Sequence, residues 1–204
     1  MSLPFLSAIV LAAGSSRRMG KANKLLLPWQ QKAVVTTVVD HLLAVTGIEV
    51  IVVMGHEAEL IQTALGERSL KKVVNPEHLK GMTTSIQCGL RATDVASQGY
   101  MICLADLPLI GSGIYQNIVQ SFQAVVPSNP KTILVPRFQK KRGHPIVFSQ
   151  YYKTQLLQHP ILEGCKQILQ DHQKHLHFFP CKDPAILLDM DTPEAYQKLK
   201  QSRN

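Results

Sequence analysis

Ala8-Ile9-Val10-Leu11-Ala12-Ala13, followed at once by Gly14-Ser15-Ser16, decides how the rest of the chain is read. These six residues are apolar without alternation, which suits a short strand covered on both faces, as strands of parallel sheets are. Two further runs share the form. Residues 50–54 (VIVVM) stop at Gly55-His56, and residues 100–104 (YMICL) stop at Ala105-Asp106-Leu107-Pro108. Helices are expected between them, at residues 34–45 (closed by Gly47), 57–65 (acidic at the start, Gly66 after the end) and 83–91. A short strand is expected at 72–74. Beyond Pro108 the pattern predicts helices at 114–125, 151–157, 162–169 and 193–199, and strands at 132–135, 145–148, 175–179 and 185–188. Strands alternating with helices predict an α/β fold with a mostly parallel sheet covered on both sides. Neither an internal repeat nor a domain-separating linker is found, so residues 1–204 read as one domain.

Composition narrows the function. The apolar share of 45% is that of a globular chain, and no apolar run approaches the ~18–20 residues needed to cross a bilayer. Met1-Ser2-Leu3-Pro4 has no basic n-region, so a secretory leader is not expected. Cys88, Cys103, Cys165 and Cys181 are far apart and form no Cys-x-x-Cys pair, which favours reduced thiols and a cytoplasmic location. The 22 Lys and Arg against 14 Asp and Glu leave a charge of +8, spread thinly except at Arg17-Arg18-Lys21-Lys24 and Arg137-Lys140-Lys141-Arg142. Without interleaved aromatics these knots suit a small anionic ligand better than nucleic acid.

In open α/β sheets, ligands sit beyond the carboxyl ends of the strands. The Gly14 loop, Gly55-His56 and Asp106-Leu107-Pro108 all fall there. In the loop from Leu11 to Gly20, small residues leave backbone N–H groups free to face an anion, and Arg17 or Arg18 with Lys24 adds charge. The loop carries neither Gly-x-Gly-x-x-Gly nor a Walker A motif. An ordinary turn with two solvated arginines fits the same residues. Asp106, just past a buried strand, is placed to hold a divalent cation such as Mg²⁺, which takes only one or two protein carboxylates. Asp191, in Asp189-Met190-Asp191-Thr192-Pro193, is a second ligand candidate and equally a helix cap. His172, His175 and His177 are too irregularly spaced for a metal site.

Leu-Ala-Ala-Gly-x-Ser-x-Arg-Met-Gly over residues 11–20, with Asn23-Lys24-Leu25-Leu26-Leu27-Pro28, resembles the signature of the nucleotidyltransferases that build molybdenum dinucleotide cofactors. The cytidylyltransferase branch is the nearer one, because Ala13 stands where the guanylyl branch has a second glycine. The resemblance spans nearly the whole chain, from Ile9 to about Leu199. It implies a Rossmann-like three-layer sandwich of the nucleotide-diphospho-sugar transferase type. It also implies transfer of CMP from CTP to the phosphate of molybdopterin, with Mg²⁺ as cofactor. Leu11, Ala12, Ala13, Gly14, Ser16, Arg18 and Lys24 would then bind the nucleotide, and Arg18, Lys24 and Asp106 would act in catalysis. Asp106 and Asp191 would hold the metal, with Asp189 in reserve.

The same resemblance assigns Asn75, Gly81, Met82 and Ser85 to the nucleotide and Gly143 and His144, in Arg142-Gly143-His144-Pro145, to the acceptor. A molybdenum hydroxylase or its accessory protein is the implied partner. One loop departs from the family. Where the cytidylyl branch has Gly-Asp-x-Gly-Ala-Arg, this chain has Leu162-Glu163-Gly164-Cys165-Lys166-Gln167. Another phosphorylated acceptor, GTP as donor, and a non-catalytic cofactor-binding chaperone therefore stay open beside the first reading.

Overall fold

The computed structural model describes residues 5–16, 19–20, 22–160 and 164–201. Strand β1 (Leu6–Ala12) leads through a 3-10 turn (Lys24–Leu26) into a small hairpin, β2 (Pro28–Trp29) and β3 (Lys32–Ala33). Then follow α1 (Val34–Leu43), β4 (Ile48–Met54), α2 (Ala58–Leu65), β5 (Lys71–Val74), α3 (Met82–Arg91) and β6 (Gly99–Leu104). The second half has α4 (Ser112–Val125), β7 (Ile133–Phe138), β8 (Lys141–Arg142), β9 (Ile146–Ser149), α5 (Lys153–Gln158), α6 (Lys166–Asp171), β10 (Leu176–Pro180) and α7 (Pro193–Gln201).

The sheet runs β5-β4-β1-β6-β9-β7-β10, with β8 paired to β7. Pairing is parallel except around β9, which opposes both β6 and β7, and in the β7–β8 hairpin. The chain steps outward from β1 to β4 and β5, then returns to place β6 on the other side of β1. Such a reversal opens a crevice at the carboxyl ends of the strands. Register aligns those ends: Ala12 pairs with Met54, and Leu11 with Leu104.

Alternation along each strand divides the core in two. Ala8, Val10 and Ala12 face a cluster that includes Val35 and Val39 of α1, Ile118 and Phe122 of α4 and Tyr196 of α7. Ile9 faces the other way, toward Ile86 and Leu90 of α3, Tyr152, and Leu156 of α5. This is the expected three-layer arrangement, with the central strands β1, β4 and β6 buried on both faces. α3 approaches especially closely at Gly89, where a Cβ would overlap Ile9 Cγ2 and lie 3.0 Å from Val53 Cγ2. Gly89→Ala should therefore lower stability by about 1–3 kcal/mol, read as a shifted urea midpoint at unchanged slope.

One expected strand is absent. Residues 185–188 are apolar, but Pro184–Leu187 form a 3-10 turn. Pro184 fixes a helical φ, and the Asp183 side chain accepts from Ala185 N, so the local chemistry starts a turn. The apolar character reflects burial of Ala185 and Ile186. The helix expected at 162–169 is described only as Lys166–Asp171; residues 162 and 163 lie outside the described set. The four cysteines are free thiols, with Cys103 buried as a small apolar residue. His172 and His175 stack on each other beside Tyr152, whose hydroxyl lies 2.7 Å from His175 Nδ1. Among the described residues no helix is long and apolar enough to cross a membrane.

Candidate active site

A cleft of about 530 Å³ opens where the chain reversal predicts it. Leu11, Ala13, Gly14 and Ser15 supply one wall, and Asp106 and Leu104 come from the end of β6. Beyond its chain neighbours, no described atom lies within 4 Å of where a Gly14 Cβ would stand, so packing does not call for glycine there. Ser16 turns the loop back at φ +48°. Its hydroxyl accepts from the Lys24 backbone N–H at 3.2 Å, which ties the loop to the 3-10 turn. Asn23 caps that turn through Leu25 N, and its Nδ2 donates to Glu57 at 2.9 Å. These contacts carry Lys24 into the cleft.

At the cleft floor the Lys24 ammonium donates to Asp106 and, at 2.6 Å, to Asp191. Partial burial pulls the Lys24 pKa down, but the charge of Asp106 and hydrogen bonds to both carboxylates outweigh it and raise the net value. Lys24 is thus charged throughout the neutral range. Its stabilising effect is present below the ordinary lysine range and is lost only as pH rises past the raised value. The capping role read as an alternative for Asp191 falls instead to its neighbour Thr192, whose hydroxyl accepts from Ala195 N. Asp189 also lines the cleft. Among the described residues no three His, Cys, Asp or Glu side chains group as metal ligands. Two carboxylates converging on one point still suit a hard cation that completes its shell with phosphate and water.

The cleft is lined further by His78, Leu79, Gly81, Met82 and Ser85. Asn75 does not line the cleft. It is buried, and its Nδ2 donates to Thr84 and Ser85 while its Oδ1 accepts from Glu77 N. Asn75 thus positions Ser85 and the loop before α3. The Ser85 hydroxyl, as acceptor from Asn75, keeps its own hydrogen to donate.

A second hollow of about 560 Å³ adjoins the first through Met82. Arg142, His144 and Lys166 give it polar groups; Ile86, Ile102, Ile146 and Leu169 give it an apolar lining. His144 Nδ1 is buried without a hydrogen-bond partner among the described residues. Burial lowers the His144 pKa, against a weaker upward pull from Asp106, so its ring is neutral near pH 7. Gly143 does not reach the hollow. Its N–H bonds Pro136 O, and a Cβ would lie 2.6 Å from Ile186 O, so its glycine serves packing that aims its neighbours.

The structure therefore gathers Leu11, Ala13, Gly14, Lys24, Gly81, Ser85, Asp106 and Asp191 into one cleft, with Ser16 behind its loop. Ala12 points into the core, and Arg18 lies outside the described residues. Asn23, Glu57 and His78 were not anticipated. Asn23 stood in a quoted motif, but nothing local marks Glu57 or His78.

The MobA-like NTP transferase domain family matches residues 8–176. Purine catabolism protein PucB of Bacillus subtilis is 30% identical over 213 residues, covering 99% of each chain. Nicotine blue oxidoreductase of Paenarthrobacter nicotinovorans is 24% identical over 199 residues, covering 97% of each. The crystal structure of Rv0371c from Mycobacterium tuberculosis superposes with a TM-score of 0.84 at 24% identity, covering 98% of this chain and 100% of that one. Rv0371c in complex with manganese gives 0.80 at 23%, covering 97% and 98%. The architecture is that of the nucleotide-diphospho-sugar transferases. The family match runs from inside β1 to the first residue of β10, well over half of the chain, which makes this chain a member of the MobA-like NTP transferase domain family.

Proposed function

We propose that this protein transfers CMP from CTP to the phosphate of a molybdopterin-type acceptor and releases pyrophosphate. The convergence of Asp106 and Asp191 on Lys24, across from the Gly14 loop, carries this reading. It is an electrostatic arrangement for a polyphosphate and a divalent cation. A relative named as an oxidoreductase leaves the chemistry of the family open, but carboxylates and an ammonium at a glycine loop suit phosphoryl chemistry better than hydride transfer.

Asp106 and Asp191 would hold Mg²⁺, which when bound would neutralise phosphate charge and orient the α-phosphate. A manganese complex of the fold relative Rv0371c fits this expectation. A terminal phosphate oxygen of the acceptor attacks the α-phosphorus of CTP. The bond from α-phosphorus to the bridging oxygen breaks, and pyrophosphate departs with the electron pair. A phosphate nucleophile is already ionised near pH 7, so no general base is needed. Lys24, Arg18 and the backbone of residues 12–16 offset the negative charge, and Ser85 and Gly81 hold the nucleoside. Catalysis rests on positioning and electrostatics. The adjoining hollow, apolar with Arg142 and Lys166 at hand, would take the acceptor with His144 against its ring. A molybdenum hydroxylase or its accessory protein would receive the product.

Pyrophosphate release across the four nucleoside triphosphates, with and without molybdopterin, tests the proposal. Release with CTP that depends on molybdopterin supports it. Release with another phosphorylated acceptor, or molybdopterin binding without release, would replace it. Asn75→Ala should raise KM for the nucleotide about 3- to 10-fold through a loosened Ser85, with kcat little changed.

A further inference from the structure

The cleft lining is of two chemical kinds. Lys24, Asp106, Asp189 and Asp191 carry charge, whereas Leu11, Ala13, Leu79 and Met82 are apolar. On the nucleotide reading above, on which this inference rests, phosphates meet the charged side chains and the base meets the apolar ones. Leu79 and Met82 are 73% and 50% exposed, an apolar surface that a base could cover.

His78, next to Leu79 in this lining, is the side chain with a ring nitrogen to offer. Its Nδ1 lies 3.2 Å from the Asn75 carbonyl oxygen. A carbonyl only accepts, so the contact places a proton on Nδ1 and leaves Nε2 as the nitrogen that can accept. The root of the ring is fixed as well. A Cβ on Gly55 would lie 2.6 and 2.7 Å from His78 Cβ and Cγ, and 2.9 Å from Ala13 Cβ. Gly55 thus lets His78 and Ala13 close against the strand end.

We propose that His78 determines base specificity by accepting a hydrogen bond from an exocyclic amino group, so that the cleft prefers amino-bearing over keto-bearing bases. Cytosine offers a donor at that edge; uracil would set a carbonyl oxygen against Nε2, leaving two acceptors face to face.

Calorimetric titration of wild-type protein and His78→Phe, with Mg²⁺ present, tests this with three probes: CTP, UTP and the triphosphate of the cytidine analogue lacking the 4-amino group. Wild-type protein should bind CTP about 10- to 100-fold more tightly than the other two. His78→Phe should bring the three within about threefold of one another. If that variant fails to fold by circular dichroism, His78→Gln, whose amide presents either polarity, should compress the ratios likewise. Equal wild-type affinity for CTP and UTP, or ratios unchanged by substitution, would overturn the role of His78. Metal-dependent binding without base preference removes that role and leaves the transferase reading intact, whereas no binding of any triphosphate removes both.

Discussion

Asp106→Asn should cut metal-dependent pyrophosphate release by about a thousandfold. The residue lies two positions past β6, is buried, and shares the Lys24 ammonium with Asp191. Asparagine keeps the shape but removes the charge that a divalent cation needs. The fold should survive, because Lys24 retains Asp191 at 2.6 Å. A stability loss of about 1–3 kcal/mol is expected, the cost of weakening one partner of a partly buried cation. Steady-state rates at saturating metal, paired with urea unfolding, separate the two effects. Unimpaired turnover would exclude Asp106 from the chemistry.

Lys24→Met should lower kcat/KM by about 10²- to 10³-fold, the usual consequence of removing one preorganised charge from a reacting phosphate. Its raised pKa means that wild-type enzyme should show no loss of activity from Lys24 deprotonation anywhere in the neutral range. Lys24→Arg, which keeps the charge on a planar fork, should recover part of the rate. A variant damaged only in packing would not distinguish methionine from arginine, so the difference between the two is the informative readout. Equal rates for both would exclude the Lys24 charge from catalysis.

Where the sequence was legible, burial made it so. β1, β4 and β6 are central and covered on both faces, and their apolar runs end at glycine or Asp-x-Pro, so their extent and succession along the chain could be read. Direction could not: residues 145–148 signal a strand, but that β9 runs against its neighbours is settled by the connections on either side. The β2–β3 hairpin has two residues per strand and turns at Gln30 with φ +56°, without the Asn-Gly or Gly signal that marks such turns. At 185–188, side chains buried in a 3-10 turn imitate a strand because apolar content reports burial before conformation.

The site divides the same way. Lys24 and Asp106 stood in recognisable stretches, each next to an element end. That Asp191, 167 positions from Lys24, would bond the same ammonium is a product of tertiary packing. The Asn23–Glu57 bond and the seating of His78 against Gly55 are likewise contacts between distant segments. Asn75 and Gly143 were recognised as important positions, yet their atoms are spent on holding Ser85 and packing Ile186.

Diffraction from crystals soaked with CTP and manganese, collected at the metal absorption edge, bears most directly on the cleft. An anomalous peak bonded to an Asp106 carboxylate oxygen and to a nucleotide phosphate, with the triphosphate lying along the Gly14 loop, is the expected result. A nucleotide bound elsewhere, or a metal seated away from Asp106 with Lys24 still bridging the two aspartates, would contradict it.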